Sequence, residues 1–337
     1  TFTFEPGSSI AECYHDQGSD LALVMGILDL PLTDPRFKSA LDLYRSFGIG
    51  IEFLTESFAE SCHPNSIRVD AVMKSGSKFS AVADSTGGGG LLFRYVDGWE
   101  VDITGDSYYL TVTSEDASLY AVLSPLGYVC ARERGGVYFF LLKSPVPIAE
   151  SLLSDLRGDS RILSVRYALP VFFPICGEPL FSSGAEMVSY ALDNGMSLAD
   201  AALEYESKLL CMPKDVLNSE MDRRLAVMEA AVKLGLSEES PGMLLLHPTA
   251  KKIMDAEREG KLALGGIHTR AAARAMAAMQ VNSGQGIVCA APTGGSAGVL
   301  PGVLVTMLED MKIPRDAVVR SMWAAGAAGW VLAVRGT

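Results

Sequence analysis

Val281-Asn-Ser-Gly-Gln-Gly-Ile-Val-Cys-Ala-Ala-Pro-Thr-Gly-Gly-Ser-Ala-Gly-Val-Leu300 is the stretch on which the reading of this chain turns. It lies inside an uncharged run from Ala275 to Leu308 that would ordinarily be core. Glycines, a proline and hydroxyl-bearing residues break that run and make it a poor plain helix or strand. Two accounts fit. In the first, Ala291-Pro-Thr-Gly-Gly-Ser-Ala-Gly298 is a loop opening a helix from about Ser296 to Met311, with free N–H groups aimed at an anionic ligand such as a carboxylate. In the second it is a tight, buried turn between two core segments. The run before Leu308 is long enough to span a bilayer, but its Gly, Pro, Asn and Gln content defeats a spanning helix. A second uncharged run, Ser321 to Val334, is too short to cross comfortably.

Outward from this stretch, the chain after Gly177 is almost wholly helical in pattern. Gly265-Gly266-Ile-His268-Thr269 is a turn ahead of an Ala-rich helix to Gln280, with His268 a residue of that helix's N-terminus. Ser183-Gly-Ala-Glu186 has the capping-box spacing, its helix stops at Asn194-Gly195, and Gly235 and Gly260 stand where helices should end. Pro248 and Pro314 are expected in first helical turns, where a missing N–H costs nothing. A long helix runs from about Lys214 to Leu234, with Glu220 and Arg224 paired on a solvated face. The methionines of this half read as core filler.

The front of the chain has a different texture. Leu21 to Leu28 and Arg36 to Phe47 read as helices, while Gly50–Leu54, Ser66–Val72, Phe79–Ala83 and Leu91–Tyr95 alternate as strands. Val96-Asp-Gly-Trp99 is a hairpin signal. From Tyr109 to about Phe173 the order is strand, helix, strand, strand, helix, strand, which suits a ferredoxin-like sandwich. Pro170, Pro174 and Pro179 mark a linker. The fold class is α+β: a mixed N-terminal domain, a ferredoxin-like domain and an all-helical domain. Boundaries are expected at 1–106, 107–173 and 174–337.

At 337 residues the chain exceeds one ordinary core, and with 49% hydrophobic and 20% charged residues it is globular material. A net charge of -12 argues against nucleic acid or anionic membrane as the main partner and leaves small-molecule work. Thr1-Phe-Thr-Phe-Glu5 has no basic or apolar leader character, so a cytoplasmic setting with reduced thiols is expected. The first residue is not Met and the last apolar run ends only at Gly336, so the sequence reads as clipped at both ends. The six cysteines, at 13, 62, 130, 176, 211 and 289, share no metal-ligand spacing and read as small buried hydrophobes.

Three further clusters carry chemistry or turns. His63-Pro64-Asn65 places an imidazole and a carboxamide at the entrance to a strand, where they can act on an amino or hydroxyl group, or simply form a turn capping that strand. Asp84-Ser-Thr-Gly-Gly-Gly-Gly90 lies between two strands and opens no helix; with no P-loop or dinucleotide fingerprint, nucleotide binding is not expected. His15-Asp-Gln-Gly-Ser-Asp20 is site material or the cap of the following helix, and capping is the reading preferred here.

Taken together, these motifs resemble the iron-sulfur-dependent bacterial-type L-serine dehydratases, also called L-serine ammonia-lyases. Tyr14 to Asp20, His63-Pro-Asn65, Ser85-Thr-Gly-Gly-Gly89 and Asp97 to Gly105 are similar to that family's β domain. Residues 109–170 are similar to the ACT-like module of some members, and 178–337 to the front of the helical α domain. Val281-Asn282 followed by Ala291-Pro-Thr-Gly-Gly-Ser-Ala-Gly-Val-Leu-Pro301 is the most specific match. The resemblance implies deamination of L-serine to pyruvate and ammonia, with a [4Fe-4S] cluster whose open iron acts as Lewis acid. It implies that His63 and Asn65 face the substrate as catalytic residues. It also implies that Asn282, Thr293, Gly294, Gly295 and Ser296 bind the substrate carboxylate or lie beside the cluster. A homo-oligomer, a dimer, follows from the same likeness.

The chain departs from the family in four places. None of its cysteines matches a cluster ligand, which the family places beyond the helix ending at Thr337, so no metal ligand is assigned in this chain. A serine-rich element with a histidine near the family's start is absent. The family's Gly-His-Gly-Thr-Asp reads Asp16-Gln-Gly-Ser-Asp20, losing a histidine. Ser114-Glu-Asp-Ala-Ser118 replaces the ligand turn of the ACT-like module. An inactive or regulatory L-serine-binding homologue lacking the cluster is therefore the competing expectation.

Overall fold

The computed structural model describes residues 1–243 and 245–335 and divides into two compact units, Thr1–Cys176 and Gly177–Thr337. The first unit is mixed and the second helical, an α+β chain.

The first unit opens with β1 (Phe2–Phe4), α1 (Ser9–Cys13), α2 (Ser19–Ile27) and α3 (Ala40–Ser46). There follow β2 (Phe53–Thr55), β3 (Ser66–Val72), β4 (Lys78–Gly87), β5 (Gly90–Val96) and β6 (Trp99–Ile103). The sheet order is β2-β1-β3-β4-β5-β6; β1 runs parallel to β2 and antiparallel to β3. Sequence alternation does not reveal β1, because all three of its residues are buried and a strand covered on both faces has no period of two. The Asp97-Gly98 turn joins β5 to β6 with both residues at positive φ (49° and 78°), the requirement of a two-residue hairpin loop.

A second sheet is built from β7 (Tyr108–Ser114), α4 (Leu119–Leu123), β8 (Tyr128–Arg134), β9 (Val137–Ser144), α5 (Glu150–Gly158) and β10 (Ile162–Ala168). Its order, β10-β7-β9-β8, with every neighbour antiparallel, is the ferredoxin-like arrangement. One face, with Leu110, Val112, Phe140 and Leu142, packs on Leu119 and Leu123 of α4 and Leu153 and Leu156 of α5. The other face, with Tyr109, Phe139 and Leu141, packs on Val96, Trp99, Val101 and Ile103 of the first sheet. The two sheets therefore share a core, and Arg166 of β10 bonds Asp97 across it at 2.6 Å.

The second unit holds α6 (Gly184–Asp193), α7 (Leu198–Leu210), α8 (Lys214–Gly235), α9 (Ala250–Arg258), α10 (Ile267–Ser283), α11 (Val299–Glu309) and α12 (Arg315–Arg335). Ser183 caps α6 by accepting from Glu186 N at 3.2 Å, while the Glu186 carboxylate returns to Ser182 rather than to the cap residue. Pro248 and Pro314 stand before the first residues of α9 and α12, outside the turns expected for them. No helix among the described residues is long and apolar enough to cross a membrane.

Helix α10 is the axle of this unit. A Cβ added at Gly235 of α8 would lie 2.2 Å from the Ala277 carbonyl, and one at Gly302 of α11 would lie 2.7 Å from the Ala271 carbonyl. Backbone meets backbone on both sides, which explains why the uncharged run carries so many small residues. At the end of that run the buried Arg274 donates to Thr306 Oγ1 (2.7 Å), Glu309 (2.7 Å) and Asp310. Arg270 bridges Asp310 (2.7 Å) and Glu257 (2.8 Å), so α9, α10 and α11 are tied by charge where the apolar stretch stops.

Candidate functional site

In the first unit the His63-Pro64-Asn65 turn is closed by Ser66 N–H on the His63 carbonyl at 3.0 Å and feeds directly into β3. The Asn65 N–H donates to His63 Nδ1 at 3.1 Å, so the neutral imidazole carries its proton on Nε2 and presents a donor outward. Beneath the turn runs a buried relay. His63 N–H donates to Ser66 Oγ (3.2 Å), which donates to Asp84 Oδ1 (2.6 Å), while Arg94 Nε donates to Asp84 Oδ2 (2.9 Å). Asp84 is only 2% exposed and is tolerated because both oxygens are bonded. The Asn65 carboxamide oxygen accepts from Ser9 Oγ (2.9 Å) and Ile10 N (3.3 Å), which docks it on α1 and leaves its nitrogen as the available group. The turn is thus both strand entrance and presented polar pair.

Close along the chain stands a feature that pattern reading assigned to capping. Helix α2 is capped by Gly18 at positive φ (73°) with no side-chain cap bond. Asp20 instead turns inward: one oxygen accepts from Leu21 N at 2.8 Å and the other meets His15 Nδ1 at 2.6 Å. His15 raises its side chain from a turn, and its pKa lies above the usual imidazole value because of the hydrogen bond to Asp20 and that carboxylate's charge. The spacing of five residues across a glycine matches no helical or strand period, so periodicity could not have paired them.

In the second unit the loop after α10 closes as a 3-10 turn, Gly294–Ser296, and α11 begins at Val299 rather than at Ser296. The cause is geometric: a Cβ at Gly298 would meet Ala275 O at 2.7 Å, so the chain must first settle on α10 before it can wind. The Ser296 hydroxyl organises the turn, accepting from Thr293 N at 3.2 Å and lying 3.1 Å from Thr293 Oγ1 and 3.3 Å from Ala291 O. The Ser296 N–H is spent on the Thr293 carbonyl at 3.2 Å, so it is not a free donor as expected. Among the described residues no acceptor engages the N–H groups of Gly294 and Gly295. Asn282, from the last turn of α10, faces the same place: its Oδ1 is 3.6 Å from where a Cβ on Gly294 would stand. Two adjacent amide N–H groups, the Thr293 hydroxyl and the Asn282 carboxamide are the polar groups this loop offers to an anion. Burial pushes the Cys289 thiol up, opposed by Arg224 and Arg223, which places two guanidiniums near the segment leading into the loop.

None of the six cysteines is fully buried or disulfide-bonded, against the expectation of small buried hydrophobes. Among the described residues no group of three or more His, Cys, Asp or Glu is placed to hold a metal ion. The thiols present do not fit a [4Fe-4S] cluster, which needs several from one place.

Residues 193–336 match the family described as serine dehydratase alpha chain. The chain is 32% identical over 154 residues to the probable L-serine dehydratase alpha chain of Bacillus subtilis, covering 46% of this chain and 51% of that one. It is 26% identical over 180 residues to the L-serine dehydratase beta chain of Peptoniphilus asaccharolyticus, covering 49% of this chain and 79% of that one. It is 31% identical over 156 residues to the L-serine dehydratase of Streptomyces coelicolor, of which it spans 33%. The chain is thus similar both to proteins named L-serine dehydratase alpha chain and to proteins named L-serine dehydratase beta chain. It spans about half the length of the Bacillus alpha chain that it matches.

Proposed function

We propose that this chain carries substrate-binding residues of an L-serine ammonia-lyase that releases pyruvate and ammonia. The observation that carries the reading is the loop Ala291–Gly298, with the unengaged N–H groups of Gly294 and Gly295 beside Asn282, inside the residues that match the alpha-chain family. In the second unit these donors, Thr293 and Asn282 are the groups for the serine carboxylate; in the first, His63 Nε2–H and the Asn65 amide nitrogen are groups that can act on an amino or hydroxyl group. Residues 1–106 act as the β domain, 107–173 as an ACT-like module and 174–337 as part of the α domain. In the ACT-like module the Ser114–Ser118 turn closes on itself, Ser114 Oγ accepting from Asp116 N at 3.0 Å, which speaks against a regulator bound there.

A [4Fe-4S] cluster is the cofactor the likeness implies; if bound, it would supply a Lewis acid for the departing hydroxyl. Among the described residues the thiols do not gather, so no ligand to it is assigned in this chain. The working protein is a cytoplasmic homodimer with no nucleic-acid or membrane partner.

Titration of this chain with L-serine by calorimetry should give saturable heat at millimolar serine that Thr293→Val weakens. The intact protein, reconstituted anaerobically with iron and sulfide, should release pyruvate from L-serine. No heat in the first measurement and no pyruvate in the second would sink the reading. The dispersal of the cysteines supports one alternative, an inactive homologue that binds L-serine, which predicts the heat without the pyruvate.

A further inference from the structure

We infer that Arg94 gives the first unit a binding site for a small carboxylate beside the His63 turn. The site lies wholly within that unit and does not rest on the serine reading.

Arg94 stands on β5 with its side chain 44% exposed, next to the buried Asp84 of β4. One bond joins them, from Arg94 Nε to Asp84 Oδ2 at 2.9 Å. The other oxygen of Asp84 accepts from the Ser66 hydroxyl at 2.6 Å, so the guanidinium does not close the usual fork on both oxygens. Other pairs in this chain do close it. Arg36 on Asp34, Arg68 on Asp70, Arg161 on Asp159 and Arg223 on Glu220 each donate from Nε and Nη2 to the two carboxylate oxygens. At Arg94 no acceptor among the described residues engages Nη1 or Nη2. A buried carboxylate thus orients an exposed guanidinium and leaves its outer N–H groups to a ligand.

The same carboxylate fixes the location. Ser66 Oγ accepts from His63 N at 3.2 Å while it donates to Asp84, so Asp84 ties Arg94 to one oxygen and the His63 turn to the other. The ionisable groups acting on Arg94 are Asp84, Asp102 of β6 and Cys62, the residue before His63. Their charges narrow the ligand class. With two carboxylates close to one guanidinium, a dianion such as phosphate meets more repulsion than a monoanion. A carboxylate carries a single charge on two coplanar oxygens, the shape that a pair of guanidinium N–H groups matches.

Cys62 serves as the reporter in the full chain, because its thiol is free and exposed. Iodoacetate carries a carboxylate and iodoacetamide does not, so the ratio of their alkylation rates at Cys62, read by peptide mass spectrometry, measures anion capture beside the thiol. Wild type should favour iodoacetate at least about tenfold more than Arg94→Lys does. The lysine ammonium remains with Asp84 and has no second edge to offer, so the urea midpoint of Arg94→Lys should match wild type. Acetate, pyruvate and L-serine at millimolar concentration should each slow the iodoacetate reaction of wild type at Cys62 and leave that of the exposed Cys211 unchanged. Protection by all three marks a site for small carboxylates at large, and protection by L-serine alone marks the amino acid as their source; both support the assignment to Arg94. Inorganic phosphate protecting at lower concentration than acetate would overturn the choice of a carboxylate. An iodoacetate preference unchanged in Arg94→Lys, or no protection of wild type by any of the three, would overturn the site.

Discussion

At the scale of single residues, the two halves differ in how their polar groups are prepared. Thr293 is exposed and its side-chain hydroxyl meets only that of Ser296, while its backbone bonds to Ser296 survive substitution, so Thr293→Val should leave the melting temperature unchanged. It should weaken serine binding about tenfold, the equivalent of one hydrogen bond of about 1.4 kcal/mol. Calorimetry checks both statements. Asp84 is the reverse case, buried beneath the His63 turn and bonded to Ser66 and Arg94. Asp84→Ala leaves the Ser66 hydroxyl and a guanidinium without their acceptor, at a cost of about 1 to 3 kcal/mol by urea unfolding. The His15 pair has a pH signature. A histidine whose folded pKa is raised contributes stability below its unfolded value and loses it as pH rises through the folded value. Any stabilisation of wild type over His15→Gln should therefore be present at pH 5 and fade on the alkaline side of neutrality.

Elements carry a different set of constraints. Gly302→Ala drives a methyl group into the Ala271 carbonyl and the Ala275 backbone, so α11 must move off α10. The expected loss is about 1 to 3 kcal/mol, with serine binding weakened as well because the Gly294–Ser296 turn rides on the same helix. Normal stability of that variant with normal binding would contradict the close-packed geometry. Most elements were legible from pattern: α8 was expected from about Lys214 to Leu234 and runs Lys214–Gly235, and the six elements of the ferredoxin-like sandwich came in the right order. What escaped did so for physical reasons. A fully buried three-residue strand has no alternation to read. The start of α11 was placed early because Gly294 and Ser296 favour a turn that only contact with α10 closes off. The tautomer of His63 and the inward turn of Asp20 depend on hydrogen bonds that sequence spacing does not encode.

For the whole molecule, the shared core of the first unit decides how it fails. Trp99 stacks on Phe139 at 5.3 Å, and the guanidinium of Arg134 lies over the indole at 4.7 Å, so one side chain joins the two sheets. Trp99→Ala should cost about 3 to 5 kcal/mol and broaden the unfolding transition of the unit as the sheets lose their common packing. Acid should loosen the same region. Burial pushes the Asp106 carboxyl up, but bonds from Lys143, Tyr109 and Thr104 outweigh it and hold the pKa down to about 2. A carboxylate with a depressed pKa contributes stability above its unfolded value and loses it as pH falls through the folded one. The advantage of wild type over Asp106→Asn in chemical denaturation should therefore be full at pH 5 and vanish below pH of about 2.

The glycine contacts around α10 bear on motion as well as on packing. A side chain wedged between two helices can change rotamer and let one helix slide in small steps; a carbonyl resting against a glycine has no such intermediate settings. The Gly294–Ser296 turn should accordingly behave as a latch with two positions, seated or detached. Hydrogen exchange at Gly294 and Gly295 should then follow the same opening event as the amides of α11 instead of the graded breathing of a free loop.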